Sequence, residues 1–183
     1  MTSIAGLLTL SRVIGLSAFG FALAACVLAW FRSRRASQKG WLAAVLALLE
    51  SMLILDMAFH GRWRLHNLLA GVAITSHRYG ERSVPQYAAL ILLGSAVAAG
   101  IGLTVWHLRD RPGAAFAVCG GVLSVCCWFV EVISLHAVDG LLYRRIDGVT
   151  FVRFVWAACS LMTGAGMLWD TFSKPGRQQP IRR

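Results

Sequence analysis

The chain has 183 residues, 57% of them hydrophobic and only 14% charged, and its mean hydropathy is +0.65. This composition lies outside the range of soluble domains and leaves a membrane protein as the expectation. The formal net charge of +10 would suit nucleic acid in a soluble protein. Here, however, Lys and Arg sit mostly in short connectors between apolar runs, where they set topology and meet anionic lipid headgroups, so no nucleic-acid partner is expected.

A helix crosses roughly 30 Å of hydrocarbon in about 20 residues. Five apolar stretches of that length follow one another, so the expected fold is an all-α integral membrane protein, a single domain of five transmembrane helices. The first covers about 8–31. Leu23-Ala24-Ala25-Cys26 within it looks like a lipoprotein cleavage box, but no cationic segment precedes it and the apolar run continues through Trp30, which predicts a retained helix. The second, about 41–60, is interrupted by Glu50, Asp56 and His60. In the connector that follows, Leu65, Leu68, Leu69 and Val72 recur at helical spacing, which predicts a short interfacial helix, either a lid or an anchor.

The third stretch, about 86–107, carries no charge, while the fourth, about 114–138, brings Glu131 and His136 with Asp139 at its end. The fifth covers about 149–170 and leads into a basic tail over 171–183. All five cysteines fall inside these stretches, so a disulfide framework is not expected; Cys119, Cys126 and Cys127 suit apolar packing better than a soft-metal conduit. Glycines within the stretches suit close helix contact, and none belongs to a phosphate-binding loop.

Arg32, Arg34, Arg35, Lys39, Arg109, Arg111, Lys174, Arg177, Arg182 and Arg183 fall on one side of the membrane, against Arg62, Arg64, Arg78, Arg82, Arg144 and Arg145 on the other. The bias predicts an N-terminus outside and a C-terminus in the cytoplasm of a cell inner membrane. Trp30, Trp41, Trp106 and Trp169 fall at the predicted cytoplasmic ends, where an indole keeps its ring in the interface and its N–H in water.

Ionisable groups within apolar stretches are costly and usually face a bundle interior or a wet cavity. The second and fourth stretches echo each other faintly. Each places a Glu inside, then an Asp and a His, then two arginines: Glu50, Asp56, His60, Arg62 and Arg64 in one, Glu131, His136, Asp139, Arg144 and Arg145 in the other. Helix spacing puts Asp56 with His60, and His136 with Asp139, on shared faces. Should the two helices be neighbours, Asp56, His60, His136 and Asp139 would form a ligand set for a transition metal, or two histidines would ligate a haem, with Glu131 beside them as acid or base. Glu50, roughly 15 Å from His60 along its helix, is too far for that centre and suits a proton relay with Glu131. Arg12 and Arg153 are the expected counter-ions of Glu131 and Asp56.

His77-Arg78-Tyr79-Gly80-Glu81-Arg82, with Arg62, Arg64, Arg144 and Arg145, could take an anion or a lipid headgroup through forked hydrogen bonds. Three functions follow as expectations. The first is a metal or haem site for redox chemistry. The second is a proton-coupled small-solute transporter in which Glu50 and Glu131 exchange protons. The third is a membrane scaffold or assembly subunit whose buried charges only lock helices, with a membrane-protein partner or a second copy of the chain.

Overall fold

The computed structural model describes residues 10–35, 40–75, 83–133, 136–146 and 148–173. Among the described residues, five helices are long and apolar enough to cross a membrane: α1 (Leu10–Arg35), α2 (Trp41–Phe59), α4 (Ser83–His107), α5 (Pro112–Ile133) and α7 (Phe151–Phe172). The short helix α3 (Gly61–Thr75) fills the connector after α2, and α6 (His136–Leu142) follows α5. The protein is thus an all-α membrane-embedded bundle with the connector helix in place.

Local chemistry accounts for the boundaries. α2 stops where His60 turns left-handed (φ 57°, ψ 38°), its N–H returning to the Asp56 carbonyl. This is a helix-ending conformation that non-glycine residues adopt rarely. α3 begins at the next residue, Gly61, where a Cβ would stand 2.9 Å from Asp56 Oδ1. Pro112 opens α5 at a first-turn position, where the missing N–H costs nothing.

The apolar run continues to residue 138; the structure describes α5 up to Ile133 and α6 from His136, and residues 134–135 between them lie outside the described residues. Two side chains from other helices reach carbonyls near this point: His66 Nδ1 on α3 donates to the Val132 carbonyl at 3.0 Å, and Gln86 Nε2 on α4 donates to the Ile133 carbonyl at 2.9 Å.

A feature the sequence reading did not anticipate joins α6 to α7. Arg145–Ile146 (β1) and Val149–Thr150 (β2) pair antiparallel, with Arg145 opposite Thr150 and Ile146 opposite Val149. Gly148 takes φ +81°, which glycine adopts without steric penalty.

At the centre, α7 packs against α1 on one side and α5 on the other, and α2 lies along α1. Small residues set these distances. A Cβ on Gly120 would stand 2.7 Å from the Cys159 carbonyl oxygen, and one on Gly166 2.5 Å from the Ala117 nitrogen, so the α5 and α7 backbones nearly touch. Close approach of this kind gives dispersion contact where lipid supplies no hydrophobic drive for association. Two apolar clusters result: Phe19, Leu53, Met57, Cys127, Val152 and Trp156 toward the α3 end, and Cys26, Ala29, Ala43, Leu46, Ala117 and Met167 toward the end where α1 and α7 finish. α4 packs along α5 and contributes no buried residue. At the end opposite α3, Arg111 and Asp170 form an ion pair between α5's entry and α7.

Candidate functional site

At the α3 end, one guanidinium joins two carboxylates from different helices. Arg62, in the first turn of α3, sends Nη1 to Asp56 Oδ2 at 3.1 Å and places Nε 3.1 Å from Glu131 Oε2. All three side chains are nearly excluded from solvent, at 6% exposure for Arg62, 11% for Asp56 and 2% for Glu131. Asp56 serves a second purpose, because its Oδ1 accepts the Arg62 backbone N–H at 2.8 Å. A carboxylate there satisfies an orphan donor and sits favourably on the positive end of the helix dipole.

Glu131 is held by two further donors. Trp156 Nε1, fully buried on α7, donates to Oε1 at 2.5 Å, and Tyr143 Oη donates to Oε2 at 3.0 Å. The Arg62 guanidinium lies 5.5 Å from the Trp156 ring centroid, and Phe19 of α1 packs edge-on against that ring at 5.5 Å. Burial and the neighbouring Glu131 carboxylate push the Tyr143 phenol well above its ordinary value, since an ionised phenol would face a second negative charge in a desolvated place. Four helices therefore meet on one ion-paired, hydrogen-bonded centre.

Deeper in the bundle lies a second cluster. Glu50, in the middle of α2, is fully buried, and Ser160 Oγ of α7 donates to its Oε2 at 3.2 Å. The Thr163 hydroxyl also faces this carboxylate, yet no close hydrogen bond reaches Oε1, nor the fully buried Ser124 Oγ of α5. On α7, Arg153, Trp156, Ser160 and Thr163 recur at three- and four-residue intervals, so one helix face carries the polar groups of both clusters. Thr163 Oγ1 donates to the Cys159 carbonyl at 3.2 Å.

The α2 and α5 helices do meet, and Asp56 and Glu131 are brought together, but through Arg62. The sequence reading placed Arg62 among headgroup-binding residues and gave the counter-ion role to Arg12 and Arg153. Arg62 is buried and contacts both carboxylates, because the left-handed turn at His60 folds α3 back over the bundle, while Arg153 stands within electrostatic reach of Glu131. Arg12 Nη2 donates to His60 Nε2 at 2.8 Å. Arginine can only donate, so this contact requires His60 to be unprotonated at Nε2, and a metal there would have to displace Arg12. Arg153 lies near Arg62, Glu131, Tyr143 and Arg12, with its Nη1 buried and without a hydrogen-bond partner.

Asp139 lies on α6, near Tyr143. The His136 side chain and the segment His77-Arg78-Tyr79-Gly80-Glu81-Arg82 lie outside the described residues. Among the described residues no group of three or more His, Cys, Asp and Glu side chains is placed to hold a metal ion. Arg64, Arg144 and Arg145 are exposed, the last two beside a surface hollow lined also by Leu141, Ile146 and Phe151. An apolar groove of about 470 Å³ runs between α2 and α5, lined by Leu53, Phe59, Trp128 and Phe129, with Asp56 also in its wall.

Trp156, Tyr143, Ser160 and Ser124 were not singled out from sequence. Polar side chains inside α7 were the available signal, since Arg153, Trp156, Ser160 and Thr163 form a stripe in an otherwise apolar span. Comparisons with protein families, with curated proteins and with solved structures give no match.

Proposed function

We propose that this protein is a proton-coupled carrier of a small solute in a cell inner membrane, with its N-terminus outside and its C-terminus in the cytoplasm. The observation that carries the reading is Glu50. A carboxyl group in the middle of a spanning helix, fully buried and with an unengaged oxygen, is costly unless it is used. Asp56 and Glu131, in contrast, share Arg62 as an ion-pair partner. Glu50 is the group free to load and release a proton, and Glu131 is the second station. Ser160 contacts Glu50, and Trp156, one turn along α7 at a rise of about 6 Å, contacts Glu131. Movement of α7 relative to α2 and α5 would then couple the two carboxyl groups.

The test is proton flux into liposomes carrying the purified chain, read with a trapped pH-sensitive dye under an imposed gradient. Glu50→Gln keeps size and a hydrogen-bond acceptor for Ser160 while removing the titrating group. The expected result is loss of flux with the fold retained; flux indifferent to Glu50→Gln removes the reading.

A scaffold or assembly role is the second reading, and one observation favours it. No residue of α4 is buried within the chain, which leaves that span's surface to lipid, to a membrane-protein partner or to a second copy. Cross-linking from cysteines placed on α4 in native membranes distinguishes these.

A further inference from the structure

Among the described residues, two oxygens in the middle of the bundle have no close hydrogen-bond partner, Oε1 of Glu50 and Oγ of Ser124, and both residues are fully buried. Buried polar groups are nearly always satisfied, and an orphan calls for a water or an ion at the site. The two orphans sit at one level of the bundle. A Cβ on Gly121 of α5 would stand 3.0 Å and 3.2 Å from the side chains of Leu46 and Leu49 on α2, and one on Gly120 would stand 2.7 Å from the Thr163 nitrogen on α7. One turn further along the co-directional α2 and α5 come Glu50 and Ser124. One turn back along the opposed α7 comes Ser160, which already donates to Glu50 Oε2.

We propose that Glu50, Ser124, Ser160 and Thr163, whose hydroxyl also faces Glu50, form a binding site for a single sodium ion. The donor set is a carboxylate and hydroxyls, which suits a hard cation and offers nothing to a soft one. One positive charge neutralises the one carboxylate at this depth, whereas a divalent ion would leave an uncompensated charge in hydrocarbon. The hydroxyls keep acceptor lone pairs for the ion, because Ser124 is unengaged and Ser160 uses its proton toward Glu50. The site deepens the carrier reading and rests on it for its consequence, which is that sodium substitutes for the proton at Glu50.

The purified full chain in detergent is titrated with sodium chloride against choline chloride at constant ionic strength near pH 8, following radioactive sodium binding and thermal unfolding. The expected result is about one sodium ion per chain and an unfolding temperature raised by roughly 5 °C at saturation, with potassium lacking the effect. Ser124→Ala deletes only a hydroxyl that has no partner, so it keeps the fold and weakens binding about tenfold or more; Glu50→Gln abolishes binding. No bound sodium on the wild-type chain, an equal response to sodium, potassium and choline, or a response to pH alone each overturns the proposal. Sodium binding without proton flux in liposomes leaves this site standing and removes the carrier; flux without sodium binding does the reverse.

Discussion

Asp56 and Arg62 are joined twice: Oδ1 of the aspartate accepts the Arg62 backbone N–H at 2.8 Å while Oδ2 pairs with Arg62 Nη1 at 3.1 Å. One carboxylate thus starts α3 and neutralises the side chain that α3 carries into the bundle. The arrangement explains why α2 and α3 meet at a left-handed residue followed by glycine. Any Cβ at Gly61 would crowd the carboxylate.

Removing Arg62 strands two buried carboxylates at once. Arg62→Met should destabilise the chain by about 3–5 kcal/mol, the usual cost of leaving a buried charge without its partner. The half-open pair at the other end sets the contrast. Asp170 is 13% exposed but Arg111, the charge left behind, is 55% exposed, so Asp170→Asn should cost about 1 kcal/mol and the difference should shrink with salt. Thermal unfolding of both variants in detergent checks the ranking, and equal costs would refute it.

Trp156 is a hydrogen-bond donor in a place that apolar packing alone would fill. Trp156→Phe keeps an aromatic ring against Phe19 but leaves Glu131 Oε1 without its donor. A loss of about 1.5–3 kcal/mol is expected for a hydrogen bond to a charged group, beyond the packing change. Combining it with Glu131→Gln in a double-mutant cycle isolates the contribution, and additive effects would count against the bond.

Glycines divide sharply by neighbour. Gly120→Ala drives a methyl into the backbone of α7, so the variant should fail to assemble or unfold far below the wild type. Gly94→Ala meets nothing within 4 Å on α4 and should be neutral or slightly stabilising through helix propensity. Expression and monodispersity on size-exclusion chromatography separate the two.

Tyr143 gives a pH signature. Its folded-state pKa is raised, first by burial and then by Glu131, so this group leaves stability unchanged below the ordinary phenol value of about 10. Above that, the unfolded chain releases the proton first and stability falls as pH rises toward the folded value. Ultraviolet titration of the chain's three tyrosines should show one that ionises late, absent in Tyr143→Phe. Three phenols titrating together would contradict the buried contact with Glu131.

Much of the architecture was legible because the bilayer is a strict solvent. Runs such as Trp41 to Phe59 can be satisfied only as helices, and the leucine spacing after His60 marked α3. Local signals that compete with hydropathy were harder to read. His66 and Gln86 reach the Val132 and Ile133 carbonyls from helices distant in sequence, contacts that no local pattern announces. The small hairpin was foreshadowed by Asp147-Gly148, a pair that favours tight turns, but it lay beside a strong apolar run.

What the sequence determined by itself was the class of fold and the short list of groups that hydrocarbon cannot ignore: Glu50, Asp56, Glu131 and the arginines near them. Which carboxylate meets which cation was decided only in three dimensions. Arg62, read as a headgroup ligand, is turned inward because a backbone reversal at His60 points α3 over the helix ends, whereas Arg12 ends on His60 and Arg153 carries a buried nitrogen without a hydrogen bond. Hydropathy is a property of each residue and survives reading one position at a time; ion pairing depends on two side chains arriving at the same place, and the turn that brings them there is set by a few local contacts.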